Sequence, residues 1–86
     1  MLAAFAKRVR DVVREIPKGQ TRSYAEIARD AGHPGAARAV GTVMRRNYDP
    51  SVPCHRVIRN DGEVGDYNRG GPEKKRALLR AEGVSI

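Results

Sequence analysis

The sequence is poor in cysteine, aromatic residues and histidine. Among its 86 residues it has one cysteine, Cys54, no tryptophan, one phenylalanine, three tyrosines and two histidines. One cysteine excludes an internal disulfide and favours a reducing compartment. The core must therefore be built from valine, isoleucine, leucine and alanine. Cys54, His33 and His55 do not supply a tetrahedral zinc set, so we expect no metal and no other cofactor.

The chain also lacks a long apolar run. No segment is long enough to span a membrane or resembles a secretory signal, so we expect a cytoplasmic protein without a membrane partner. The length fits one small domain over residues 1–86, and we expect a monomer. Acidic residues are in the minority, and the formal charge of +7 predicts a polyanionic partner, most often nucleic acid. Charge alone leaves open a merely soluble basic protein.

Apolar residues recur at three- and four-residue spacing in several segments that glycine and proline separate. The pattern predicts helices over residues 2–16, 23–31, 34–46 and 72–82. Ser23 and Glu26 have the spacing of a capping box, and Gly32 suits a left-handed residue after the second helix. In the last helix Ala77, Leu78 and Leu79 are expected to form the apolar side, while its basic residues, Lys75 among them, add positive charge.

The second and third helices, joined by a tight turn at residues 32–35, predict a helix-turn-helix. One face of the third helix is cationic and lined by small residues, which suits DNA binding; its residues are Arg38, Gly41, Thr42, Arg45 and Arg46. Ordinary solvated arginines are the alternative. Residues 56–59 and 63–65 flank an Asp-Gly turn and predict a two-stranded ribbon. The predicted fold class is mainly α with a small β-wing, a winged-helix or helix-turn-helix domain.

Cys54 lies in the segment Pro53-Cys54-His55-Arg56-Val57-Ile58. The neighbouring imidazole and guanidinium favour the thiolate, which is the nucleophilic form. A lone cysteine is more often a small buried hydrophobic residue, so the segment by itself leaves both interpretations open. Glu82 is expected in the last turn of the last helix, where the helix dipole disfavours a negative charge, and this hints at a role elsewhere. A solvated glutamate is the alternative.

Several of these motifs occur in the order of a known family. They are Ser23-Tyr24, residues 36–41 (Ala-Ala-Arg-Ala-Val-Gly), Asn47, residues 53–58, Gly65, Tyr67, Gly70-Gly71, Lys75, Leu78-Leu79 and Glu82-Gly83. Over residues 17–83 the chain resembles the C-terminal DNA-binding and active-site domain of O6-alkylguanine-DNA alkyltransferases. Only one predicted helix precedes this region, so we expect a single-domain form without the N-terminal domain usual in the family.

The resemblance implies direct-reversal repair of double-stranded DNA that contains O6-alkylguanine. The Cys54 thiolate would accept the alkyl group once and irreversibly, without a cofactor. His55 would act as the base through a bridging water, and Glu82 would orient His55. Tyr24 would contact the flipped guanine and assist its departure. Binding to DNA would associate the protein with the nucleoid.

The resemblance also implies roles for residues around the thiol. Asn47 would organise the turn that carries the cysteine, and the carbonyls of Cys54 and Val57 would accept hydrogen bonds from the guanine amine. The pocket would be closed by Tyr67 with the backbone near Asn68 and Arg69. Arg38 would fill the space that the flipped base leaves, on a DNA-binding face that also contains Ala37, Gly41, Thr42 and Arg45.

Two loops depart from the family pattern. The loop between Asn47 and Cys54 is one residue shorter than usual and has Tyr48 where the family commonly has proline. The loop after Tyr67 is one residue longer, with Asn68 and Arg69 in place of a single small residue. Both changes are expected at the pocket, where they bear on the range of substrates.

Two other functions compete with the transferase. One is a non-enzymatic alkyltransferase-like protein that binds O6-alkylguanine and flags it for excision repair. Such relatives generally have tryptophan at the position of Cys54, so Cys54, His55 and Glu82 together favour the enzyme. The other is a winged-helix transcription regulator, in which Cys54 would be incidental.

Overall fold

A computed structural model describes residues 2–86 of the chain. In chain order its elements are α1 (Leu2–Arg14), β1 (Arg22–Ser23), α2 (Tyr24–Asp30), α3 (Ala37–Arg45), a 3-10 turn (Cys54–Arg56), β2 (Val57–Ile58) and α4 (Gly71–Ala81). The fold is mainly helical with a small β element, as predicted. Within the described range, none of the helices is both long and apolar enough to cross a membrane.

The first three helices pack around a common core. Val9 and Val13 of α1, Ile27 of α2 and Val40 of α3 are all fully buried. Their spacing follows the amphipathic pattern of the sequence, since residues three and four apart lie on one face of a helix. Helix α1 ends two residues earlier than predicted because the last amides, including that of Ile16, bond to carbonyls only three residues back.

The start of α2 is the predicted capping box. Ser23 Oγ accepts a hydrogen bond from the Glu26 amide at 3.1 Å, and Glu26 Oε1 accepts one from the Ser23 amide at 2.9 Å. These bonds satisfy two backbone donors that a helix start would otherwise leave unpaired. The cap also positions Tyr24 as the first residue of α2.

Helix α3 begins at Ala37, three residues later than the predicted start at Pro34. Gly35 has φ of +92°, and a left-handed residue cannot continue a right-handed helix. The Ala36 amide bonds to the His33 carbonyl at 3.1 Å, so these residues form a turn instead. The turn after Gly32, which has the predicted left-handed φ of +87°, is therefore longer than the sequence indicated.

The predicted antiparallel ribbon is wrong, although the small β element exists. Strand β2 pairs in parallel with β1, Arg22 opposite Val57 and Ser23 opposite Ile58. Residues 59–63 do form a turn, closed by the Arg59 amide bonding to the Glu63 carbonyl at 2.9 Å. No strand follows this turn in the described chain, because Gly65 has φ of +73° and interrupts the extended backbone.

Helix α4 presents a different face to the core than predicted. Leu79 is fully buried and Lys75 is 1% exposed, whereas Ala77 is exposed. Residues 75 and 79 are four apart and lie on one face of the helix, and residue 77 lies on another. Lys75, which the sequence pattern grouped with the other basic residues, therefore belongs to the buried face of α4.

Candidate active site

Cys54 borders a cavity of about 530 Å³. Its side chain is largely buried at 5% exposed, and it begins the 3-10 turn. The cavity wall is built from several elements, with Tyr24 from α2, Arg38 from α3 and Tyr67 from the loop before α4. The two interpretations of a lone cysteine are thus compatible, because Cys54 belongs to the core and also faces a cavity.

Asn47 holds the loop that leads to Cys54. It is 4% exposed, and its Nδ2 lies 3.4 Å from the Val52 carbonyl and 3.5 Å from the Asp49 carbonyl. The Cys54 amide in turn donates to the Val52 carbonyl at 2.8 Å. A buried amide side chain therefore links the end of α3 to the residues before the thiol.

The Val57 amide already donates to the Cys54 carbonyl, and the Val57 side chain is fully buried outside the cavity wall.

His55, Arg56 and Glu82 form a partly buried ionic cluster. His55 Nε2 lies 2.9 Å from Glu82 Oε2, while Arg56 donates from Nε to Oε1 at 3.0 Å and from Nη2 to Oε2 at 2.8 Å. All three side chains are 13–16% exposed. Hydrogen bonds from Arg56 and then from His55 lower the pKa of Glu82 to about 2, despite the opposing effect of burial. Glu82 ends α4, and this cluster accounts for its place at a helix C-terminus.

Sequence reasoning missed the role of Arg56 in this cluster. Its Nη1 also donates to the Ile16 carbonyl at 2.9 Å, beyond the end of α1. One guanidinium therefore ties α1 to the carboxylate at the end of α4 and to the turn that carries Cys54. The position of Arg56 two residues after the cysteine was the available signal, but its partners are distant in sequence.

His55 does not line the cavity that Cys54 borders. It lines an adjoining cleft of about 340 Å³, and Tyr67 contributes to the walls of both. The rings of His55 and Tyr67 meet edge to face with centroids 6.4 Å apart. Although they are adjacent in sequence, the thiol and the imidazole thus face different spaces.

Lys75 is a second residue that sequence reasoning missed. Its Nζ lies 3.5 Å from Tyr24 Oη and 3.2 Å from the Asp66 carbonyl, which accepts a hydrogen bond from it. Burial lowers the pKa of Lys75 to about 8, and the negative charges of Cys54 and Asp66 oppose this change. Burial and then the Cys54 charge raise the pKa of Tyr24. Tyr24 and Cys54 thus line the cavity, and the buried Lys75 ammonium group lies behind them without lining it.

The three residues expected to close the pocket do not all border it. Tyr67 and Asn68 line the cavity, but Arg69 lines the smaller cleft. Burial raises the pKa of Tyr67, as does the Cys54 charge, while the positive charge of Arg69 lowers it. The Asn68 amide group is directed to the end of α3, where it donates to main-chain carbonyls.

The cationic face of α3 forms one side of the cavity. Four of the five predicted DNA-binding residues line it, namely Ala37, Arg38, Gly41 and Arg45. Thr42 does not, and its Oγ1 donates to the Arg38 carbonyl at 3.3 Å.

The turn after β2 also contributes three lining residues that were not predicted, Arg59, Asn60 and Asp61. Asn60 Oδ1 accepts a hydrogen bond from the Ala25 amide at 3.0 Å, which fastens this turn to α2.

Residues 2–86 contain no group of three or more histidine, cysteine, aspartate or glutamate side chains able to hold a metal ion. The groups that line the cavity include a thiol, two phenols, guanidinium groups and the carboxyl groups of Asp61 and Asp66, whereas Lys75, His55 and Glu82 do not line it. They are suited to nucleophilic attack by sulfur beside a cationic surface.

The chain is similar to several known proteins. It is 48% identical over 83 residues to a methylated-DNA–protein-cysteine methyltransferase of Methanothermobacter thermautotrophicus, a match that covers 95% of this chain and 46% of that one. It is 52% identical over 67 residues to the mouse protein of the same name, covering 77% of this chain and 32% of that one. The chain thus spans less than half the length of these two curated relatives.

Solved structures give the same result. The crystal structure of Mycobacterium tuberculosis OGT in complex with DNA has a TM-score of 0.86 at 50% identity and covers 92% of this chain and 48% of that one. S. pombe Atl1, in complex with damaged DNA containing O6-carboxymethylguanine, has a TM-score of 0.85 at 38% identity and covers 95% of this chain and 78% of that one. Residues 4–84 match the family described as "6-O-methylguanine DNA methyltransferase, DNA binding domain". With this match over nearly its whole length, the chain belongs to that family.

Proposed function

We propose that this protein repairs DNA by transferring an alkyl group, typically methyl, from O6 of guanine in duplex DNA to its own Cys54. The observation that carries the proposal is the position of Cys54 at a cavity that also borders the cationic face of α3. A flipped guanine could enter from that face and present its O6 substituent to sulfur. The names of the relatives support the same reaction.

The proposed step is an in-line displacement. The Cys54 thiolate attacks the alkyl carbon, a sulfur–carbon bond forms, and the bond between that carbon and guanine O6 breaks. Guanine leaves with the bonding electrons and takes up a proton. The product is a thioether, which water does not cleave, so each molecule acts once and needs no cofactor.

His55 is proposed to receive the thiol proton through a water. Its Nε2 faces Glu82, so this nitrogen carries hydrogen when it donates to the carboxylate and Nδ1 is left as the basic atom. Because His55 and Cys54 line different spaces, a bridging group is needed between them. Glu82 stays ionised near neutral pH and stabilises the imidazolium that forms. The arrangement resembles other sites in which a carboxylate orients a histidine base.

Tyr24 is proposed to act at the base rather than at sulfur. It lines the cavity, and its hydroxyl is close to Lys75 Nζ. A phenol with a raised pKa remains protonated and can donate a hydrogen bond to the departing guanine. Such a bond makes guanine a better leaving group.

DNA is proposed to lie along α3. Arg38 would enter the duplex in place of the flipped nucleotide, whose unstacking costs a few kcal/mol. A Cβ built at Gly41 meets no atom within 4 Å, so this position leaves open space where DNA would approach. Arg45 adds a positive charge at the same cavity for phosphate contact.

A mass measurement tests the reaction. The protein is incubated with a duplex containing O6-methylguanine, and its intact mass is then measured. We expect one added methylene per molecule, located by peptide mapping on Cys54, and none in the Cys54→Ala variant, which should still bind the duplex. An unchanged mass in a wild-type protein that binds the lesion would contradict the proposal.

That contrary outcome would support lesion binding without transfer as the second candidate. The similarity to Atl1, of which this chain covers 78%, is the observation that favours it. Cys54, placed at the cavity with His55 and Glu82 behind it, favours transfer instead.

A further inference from the structure

The two loops that depart from the family pattern contact each other. Tyr48 lies in the loop after α3 and Arg69 in the loop before α4. The guanidinium carbon of Arg69 lies 5.9 Å from the centroid of the Tyr48 ring. This distance is within the range of a cation–π contact. The two departures in sequence therefore form one structural feature.

Asn68 makes a second link between the same loops. Its Nδ2 donates to the Asn47 carbonyl at 2.7 Å, and it also lies 2.7 Å from the Arg45 carbonyl and 3.3 Å from that of Met44. The last carbonyls of a helix lack partners within the helix, so an amide group is favourable there. Asn68 fastens the loop backbone to the end of α3, and the next residue, Arg69, is thereby held near Tyr48.

Hydrogen bonding leaves part of the Arg69 guanidinium without a partner. Its Nη2 is buried and has no hydrogen-bond partner among the described residues. Tyr48 is 67% exposed, so the core does not hold its ring. The contact with the Arg69 cation is the interaction that remains to order the Tyr48 ring. Arg69 itself is also linked to Tyr67, because a side-chain hydrogen bond from Arg69 is one of the causes that lower the pKa of Tyr67.

Arg69 also faces Tyr67. Both residues line the cleft that contains His55, and Tyr67 continues into the wall of the Cys54 cavity. The charge of Arg69 lowers the pKa of Tyr67 against the larger effects of burial and of the Cys54 charge. Tyr48, Arg69 and Tyr67 therefore form a row that leads from the surface to the cavity.

We propose that Arg69 is a positioning residue for Tyr67, and that its contact with Tyr48 holds the loop of residues 67–71 against the cavity during alkyl transfer. The kinetic part of this inference rests on the function proposed above. Arg69 acts through Tyr67, since it lies outside the cavity wall and does not border the space next to the thiol.

Kinetics give the first test. Arg69→Met and Tyr48→Ala should each slow methyl transfer at saturating protein by about two- to fivefold, the size expected of an exposed cation–π contact, with the Kd for the lesion duplex unchanged. Tyr48→Phe keeps the ring and should restore the wild-type rate. The double variant should be no slower than either single variant, because both remove one contact. Arg29→Met is the matched control, because it removes the charge of an exposed residue that lines neither the cavity nor the adjoining cleft.

A spectroscopic measurement gives a second test that needs no alkyl transfer. Tyrosine labelled with ¹³C at Cζ gives one NMR signal for each of the three tyrosines, and Tyr67→Phe assigns that of Tyr67. Titration upward from pH 8 should show a higher Tyr67 pKa in Arg69→Met than in the wild type, and no change in Arg29→Met.

The two tests separate this inference from the proposed function. If the wild-type protein transfers no methyl group but the Tyr67 titration shifts in Arg69→Met, the interaction of Arg69 with Tyr67 is established and the transfer proposal fails. If transfer occurs but Arg69→Met has the wild-type rate and an unchanged Tyr67 titration, Arg69 does not position Tyr67 and the inference is overturned.

Discussion

Arg56 binds both carboxylate oxygens of Glu82, with Nε 3.0 Å from Oε1 and Nη2 2.8 Å from Oε2. His55 contacts only one of these oxygens, at 2.9 Å. The carboxylate is therefore oriented chiefly by the arginine, and the imidazole meets an acceptor that is already in place. Paired in-plane contacts of this kind are strong and directional.

Arg56→Met should destabilise the fold by about 3 kcal/mol, because it leaves a largely buried carboxylate without its main partner and removes the bond to the Ile16 carbonyl. Arg56→Lys keeps the charge but not the paired geometry, so we expect an intermediate loss. Urea unfolding at pH 7 measures both. Equal stability of Arg56→Met and wild type would show that the cluster contributes nothing to the fold.

Glu82 should make stability depend on pH in the acid range. Its pKa is lowered from 4.5 to about 2 in the folded protein, so its contribution is present above pH 4.5 and is lost as pH falls towards 2. Glu82→Gln should flatten this part of the stability curve, measured by urea unfolding between pH 2 and 6. A curve parallel to that of the wild type would contradict the assignment.

Glu82→Gln should also slow methyl transfer, by about tenfold to a hundredfold, since a neutral amide stabilises the imidazolium less than a carboxylate does. Lesion binding should be unaffected, because Glu82 does not line the cavity. Single-turnover assays with excess protein measure the rate, and Glu63→Gln, on an exposed turn, is the control. A wild-type rate in Glu82→Gln would remove Glu82 from the mechanism.

Lys75 should make the free energy of unfolding rise with pH in the alkaline range. Its pKa is about 8 when folded and 10.5 in the reference state, so the unfolded chain binds more protons between these values and the contribution to stability rises with pH. Lys75→Met should lack this rise, which is measured as the difference between the two stability curves from pH 7 to 10. Lys74→Met, at an exposed position of α4, should keep it.

Arg38→Ala should weaken binding to the lesion duplex and reduce the slope of log K against log salt by about 0.9, the value for one lost phosphate contact. The rate of transfer should fall as well, because Arg38 is proposed to fill the space of the flipped nucleotide; a fall in rate with an unchanged slope would show that it does so without touching a phosphate. Fluorescence anisotropy over a range of KCl concentrations measures the slope, with Arg29→Ala as the control. Unchanged binding and transfer together would exclude any DNA role for Arg38.

Much of the local structure was predictable because its causes are local. The capping box at Ser23, the left-handed Gly32 and the amphipathic pattern of α1 depend on residues within one or two helical turns, and all three occur in the structure. The Asp-Gly pair likewise predicted a turn, and residues 59–63 form one. The strand pairing failed because β1 precedes α2, and the packing of that helix brings β1 beside β2 rather than leaving residues 63–65 as its partner.

The residue types and their order in the chain already show which chemical groups are available: a single thiol beside an imidazole, a cationic helix face, and a carboxylate at an unfavourable helix end. Tertiary structure decided how they are arranged. In the folded protein Cys54 and His55 border different cavities, and Glu82 is bound mainly by Arg56. Lys75 is buried beside Tyr24, and Tyr48 contacts Arg69. Except for Cys54 and His55, the two residues of each pair lie 21 to 51 positions apart in the sequence. Their contacts depend on the packing of α4 against the rest of the fold, which no local pattern encodes.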